Sequence, residues 1–204
     1  MAIKLNLINR SSDVNNSDYV VFQENADTDV KVQTIAWKVV HNLGNGDNHP
    51  FVYSDGLKVS AKDANGNYMP QIKATPGSTY GVVMENSGHK LCQSTIPACT
   101  KTQTEVWNNL SKGSVDMQIY RDDRLLATKV NVPPGSKANF EFLPKLFIGV
   151  VSQVEEGDVM NSNVTVQYLQ EISLLGITSA DIVVTGGGAG VDATPFMFSL
   201  ENVV

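Results

Sequence analysis

The stretch LKVSAKDANGNYMPQIKATPGS, residues 57–78, carries the plan of the fold in miniature. Leu57, Val59 and Ala61 alternate with Lys58, Ser60 and Lys62. A period of two sends one set to each face of a strand, whereas a helix needs apolar residues three and four apart. Asp63-Ala-Asn-Gly-Asn67 follows, and its Asn65-Gly66 pair predicts a type I′ hairpin turn. Tyr68–Ala74 returns as a second strand, and Thr75-Pro-Gly-Ser78 turns the chain again.

The same grammar extends outward in both directions. Ile3, Leu5 and Leu7 alternate with Lys4 and Asn6, and the Asn/Ser/Asp cluster at 9–18 reads as a loop. Tyr19–Gln23 is a short apolar strand. Lys31–Val40 places Ile35, Trp37 and Val39 on one face, and its β-branched content favours a strand. Residues 42–50 (NLGNGDNHP) are a turn-rich break. Thr79–Glu85 is apolar, and further strands are predicted near 89–95, 103–108, 114–120, 124–131, 138–142, 145–153, 180–185 and 195–200. Pro133-Pro-Gly135 punctuates the series. Residues 164–175 (VTVQYLQEISLL) fit either period and are the one candidate helix. About a dozen short strands at near 8–12-residue spacing predict an all-β, antiparallel β-sandwich, one large or two similar halves, with at most one short helix. Strand–helix alternation is missing, which disfavours a parallel α/β sheet.

The order of features repeats. VVFQEN, IAWKVV, GNGDNHPFVY and YGVVMEN in the first half are followed by MQIYRDD, LATKVNV, PPGSKANFEF and FMFSLEN in the second. The corresponding division is a sandwich half over 1–86, a connecting segment over 87–103 and a second half over 104–204, or one domain throughout.

Composition narrows function by exclusion. Charged residues make up 18% of the 204 residues, below the usual quarter, and the net charge is −6. Lys and Arg are scattered, so there is no basic stripe for nucleic acid or for an anionic membrane surface. No apolar run approaches a membrane span, and the first residues lack a secretory h-region, so a cytoplasmic protein is expected. Cys92 and Cys99 are then expected to be free thiols.

No motif demands catalysis. VVTGGGAG (183–190) resembles a dinucleotide-binding turn, but that site needs a following helix and further βα units, and only 14 residues with Pro195 remain after Gly190. Asp63-x-Asn65-x-Asn67 opens like a calcium loop, yet Gly66 stands fourth and Ala74 twelfth, where Gly at six and Glu at twelve are required. His41, His49 and His89 all sit in turn-like surroundings without metal or triad spacing. Glu155, Glu156 and Asp158 read as a solvated loop. No metal, cofactor or enzymatic activity is therefore expected. Trp37 shares its face with Ile35 and Val39 and reads as core. Trp107, followed by Asn108 and Asn109, is the better candidate for an exposed ligand platform, with Asp47 and His49 in the 42–50 break as further candidates.

The segments LNLINRSSDVNNSDYVVFQENAD and IAWKVV resemble the opening of RhiA-like bacterial proteins, through Leu7–Ser11, Val21–Gln23 and Ile35–Trp37. The resemblance covers about the first 40 residues. It implies a bacterial, leaderless, non-enzymatic protein and assigns no site residues. The functional expectation is a non-catalytic structural or interaction protein, homo-oligomeric or bound to a protein partner. The alternative is a module for carbohydrate or another small ligand.

Overall fold

The computed structural model describes residues 2–29, 31–161, 164–189 and 193–204, and among them there is no helix. The strands run Ala2–Asn9 (β1), Asp18–Phe22 (β2), Gln33–Thr34 (β3), Lys38–Val40 (β4), Asn48–Ser54 (β5), Leu57–Asp63 (β6), Ile72–Ala74 (β7), Ser78–Glu85 (β8) and Gly88–Pro97 (β9). They continue with Thr104–Asn108 (β10), Val115–Arg121 (β11), Arg124–Val132 (β12), Lys137–Phe140 (β13), Lys145–Val151 (β14), Gln167–Ser173 (β15), Ser179–Thr185 (β16) and Met197–Glu201 (β17).

The chain forms two compact units that are interleaved in sequence. The first takes residues 1–23, 36–55 and 144–204; the second takes 24–35 and 56–143. Each unit holds two open sheets, as a β-sandwich requires. In the first unit the strand orders are β17-β16-β1-β5 and β15-β14-β2-β4. In the second they are β13-β10-β8-β9 and β3-β12-β11-β6-β7. Among the described residues, all strand pairings are antiparallel except β1 with β16 and β10 with β8. The segment 87–103, read as a connector, is mostly strand β9 inside the second unit.

Alternation placed the core faces well. Leu5, Leu7, Val59 and Ala61 are all buried, while Lys4 and Lys58 face solvent. Trp37 is buried in the first unit, edge-on to Phe51 at 6.2 Å and to Tyr53 at 6.1 Å between ring centres.

Three local expectations need correction. Lys31–Val40 is broken into β3 and β4, because the chain leaves one unit for the other between Ile35 and Ala36. The helix candidate at 164–175 holds strand β15, whose Lys145↔Ser173 to Ile148↔Gln170 ladder leaves only Ile172 buried. An edge strand needs no clean alternation, so its sequence misleads. The Asn65-Gly66 turn is not type I′, since Gly66 has φ 86° but Asn65 is not among the positive-φ residues. Gly66 N donates to Asp63 O, and the Asp63 carboxylate accepts the N–H groups of Asn65 and Asn67. A type I turn closed by a left-handed glycine results, held by aspartate.

The two units share one topology. If β6 to β13 are read as a cycle of eight strands, β14, β15, β16, β17, β1, β2, β4 and β5 occupy the same places in the first unit. Among these eight strands every pairing and every direction then agrees, down to the one parallel pair in each unit, while β3 beside β12 has no counterpart beside β4. The correspondence reaches single bonds. Asn9 N donates to Asp47 O, Gly46 N to Asn9 O, and Asn9 Nδ2 to Leu43 O. Asn108 N donates to Ser136 O, Gly135 N to Asn108 O, and Asn108 Nδ2 to Val132 O. Asn42 and Asn131 both have φ near +53° (53° and 54°), and Gly46 and Gly135 are both left-handed. Three of the four segment pairs of the sequence repeat thus fall on equivalent strands, whereas YGVVMEN lies on β8 and FMFSLEN on β17, the counterpart of β9.

Candidate functional site

In the second unit, the β6–β7 turn and the β8–β9 turn line a depression of about 400 Å³. Asp63 ends β6 with its carboxylate buried. Its Oδ1 accepts Asn65 N and Asn67 N, both at 2.9 Å, and its Oδ2 lies 3.2 Å from Asn67 Nδ2 and 3.0 Å from His89 Nδ1. The Asn67 backbone N–H, then its side-chain amide, with His89 and Asn65 behind them, hold the Asp63 pKa at about 2 against the opposing effect of burial. Asp63 is thus an anion whose lone pairs are engaged by the turn it organises. Tyr68 stands exposed at the rim, with Lys62 Nζ 5.7 Å above its ring, and Met84 is exposed across from it.

The first unit presents a counterpart between the same pairs of strands, β14–β15 and β16–β17. This depression, about 260 Å³, is lined by Gln167, Tyr168, Gly187 and Phe196, with Asp13 and Ser17 from the β1–β2 loop. Burial raises the Asp13 pKa, but the N–H groups of Ser17 and Asn15 outweigh it and leave a net lowering. Tyr168 packs at 5.5 Å on Phe196 and is nearly half exposed. The glycine run forms this wall. Gly186, Gly187 and Gly188 all have positive φ, and the chain returns as β17, antiparallel to β16. A strand stands where a pyrophosphate site would need a helix N-terminus. Gly190 lies outside the described residues.

The residues singled out from sequence fall into two groups, in separate units. Asn108 is fully buried and spends its amide on Gly113 O, Val132 O and Leu110 N, so it braces the fold. Asn109 is exposed, its backbone N–H bonded to Val82 O. Trp107 is half-buried and donates its indole N–H to Glu105 Oε2 at 2.9 Å. Asp47 is exposed and caps Gly44 N, while His49 lies on β5 opposite Leu7. Asp47 occupies the place of Ser136 in the repeat, so the two groups mark the same structural device in each copy.

The tertiary structure adds a cluster that sequence reading missed. Glu105 and Trp107 lie on one face of β10, and Lys137 is the ladder partner of Trp107 on β13. Lys137 Nζ sits 2.8 Å from Glu105 Oε1 and 5.1 Å from the Trp107 ring centre, and Cys99 N donates to the same oxygen at 2.9 Å. Burial opposes ionisation of Glu105, yet Lys137 and the Cys99 and Trp107 donors bring its pKa down to about 2. An ion pair this well satisfied is a brace for the sheet. Only the two-apart spacing of Glu105 and Trp107 was visible in sequence; Lys137 arrives by strand pairing.

Cys92 and Cys99 are free thiols. No group of three or more His, Cys, Asp or Glu side chains suited to a metal ion occurs among the described residues. None of their elements is a helix long and apolar enough to cross a membrane. Comparison with protein families, curated proteins and solved structures finds no match to this chain.

Proposed function

We propose that this chain is a non-catalytic interaction protein that works by associating with itself or with a protein partner. The observation that supports this most is the edge of the first unit. Strand β15 ends its sheet with all but one of its residues exposed, and Tyr168 (46%) and Leu169 (48%) stand on it. Met197 (64%) on the edge strand β17 and Leu175 (77%) just beyond β15 add exposed apolar surface in the same unit. An open edge offers unpaired N–H and C=O groups to an incoming strand, and monomers usually blunt such edges with charge or proline. Between Leu169 and Ser173 the only charge is Glu171, which is already paired to Lys145 at 2.7 Å.

The test is light scattering after size exclusion across a concentration series. A particle mass rising above the 22.1 kDa chain, and reduced by Leu169→Lys, is expected. A monomer at every concentration, with no partner recovered by crosslinking in cells, would remove this reading. A second reading, a carbohydrate or small-ligand module, draws on the exposed Tyr68 ring beside Asp63 and His89. A glycan array on the wild type and on Tyr68→Ala separates the two.

A further inference from the structure

Each sandwich is assembled from two four-strand blocks, and the blocks come from different halves of the chain. The first unit joins β1, β2, β4 and β5 to β14–β17; the second joins β6–β9 to β10–β13. By the cyclic correspondence, β1–β5 without β3 is the same kind of block as β10–β13, and β6–β9 the same kind as β14–β17. Every half of the sequence thus carries one block of each kind, and each block closes with the complementary block of the other half. Blocks meet through the middle of both sheets: β1 with β16 and β2 with β14 in one unit, β10 with β8 and β11 with β6 in the other.

We infer that a second copy of this chain is its partner, by exchange of these four-strand blocks between chains. The inference rests on the self-association proposed above and gives it a mode that does not use the edge of β15. The contacts formed in an exchanged pair are those of the single chain, so the exchange is opposed only by the lost intramolecular tether and by strain at the hinge. The connection between the two blocks of the second unit can serve as the hinge. Between β9 and β10 lies 98–103, whose residues 99–102 are all exposed. This segment is held by Ala98 N to Gly77 O and Gly77 N to Gln103 O, two bonds that must open for β6–β9 to leave β10–β13.

The ladder between β6 and β11 reports the exchange. Lys62 and Asp116 are direct partners on that antiparallel ladder, with Lys62 Nζ 3.7 Å from Asp116 Oδ2. Opposed positions on such a ladder bring Cβ atoms within reach of a disulfide. In a Cys92→Ser, Cys99→Ser background, the double variant Lys62→Cys, Asp116→Cys should form an intrachain disulfide, which shows that the pair folds and reports. The two single variants are then mixed, unfolded in urea, refolded together at high concentration and oxidised. A disulfide-linked dimer in about half of the exchanged pairs, the statistical share, is expected, and none when the folded variants are mixed without unfolding. A dimer by light scattering without that disulfide would overturn block exchange while leaving surface association standing. A monomer without the disulfide would overturn both.

Discussion

Replacing Glu105 by Gln removes a charge and almost no volume, so it isolates the brace on β10. The Glu105 side chain is only 4% exposed and accepts three donors, from Lys137, Cys99 and Trp107. Its pKa falls from 4.5 to about 2. That difference corresponds to a ceiling of ~3 kcal/mol at neutral pH. Lys137 keeps 24% of its side chain in solvent and recovers part of its hydration when the carboxylate goes, so a loss of about 2 kcal/mol is expected. A depressed carboxylate pKa stabilises above the unfolded value and ceases to do so as pH falls through the folded one. The deficit of Glu105→Gln should therefore be full at pH 7 and close between roughly pH 4.5 and pH 2. Urea titrations at pH 7 and pH 2.5, followed by circular dichroism and tryptophan fluorescence, measure it. A difference below about 0.5 kcal/mol at pH 7, or one that does not shrink in acid, would refute the reasoning.

Asn9→Ala and Asn108→Ala strip equivalent buried amides from the two units, so each should cost about 2–3 kcal/mol, and the double variant should show both losses; silence of either in urea unfolding would break the equivalence. Asp63→Asn should lower the melting temperature near neutral pH and converge with the wild type between about pH 4 and pH 2, because the Asp63 pKa of about 2 is held down by groups the amide cannot satisfy equally; parallel melting curves across that range would refute it. Gly187→Ala places a Cβ 2.6 Å from the Phe196 ring at φ +67°, which should cost about 1–3 kcal/mol in urea unfolding. Calorimetric titration of the wild type with NAD and NADP should show no saturable heat, and a micromolar signal lost in Gly187→Ala would reverse the reading of the glycine run.

Alternation along the chain was enough to determine that this protein is all β, which faces of β1 and β6 are buried, and that Trp37 is core. These follow from side-chain period alone, a local property. The repeat was legible in part: IAWKVV against LATKVNV and GNGDNHPFVY against PPGSKANFEF are strands β4 and β12, and β5 and β13, in equivalent places, whereas YGVVMEN on β8 and FMFSLEN on β17 are not equivalent. Partners are a different matter. A period of two tells a residue which face it takes and nothing about which strand lies beside it. Hence β1 pairing with β16, the interleaving of the two units, and the meeting of Lys137 with Glu105 across β13 and β10 were settled only by tertiary structure. The same reason hid β15, an edge strand with one buried residue, whose burial pattern too few contacts impose. Asn108 was conspicuous in sequence because an Asn-Asn pair after an exposed-looking Trp suggests a ligand. Its true use, three bonds to Gly113, Val132 and Leu110, depends on loops that only the folded chain brings to it.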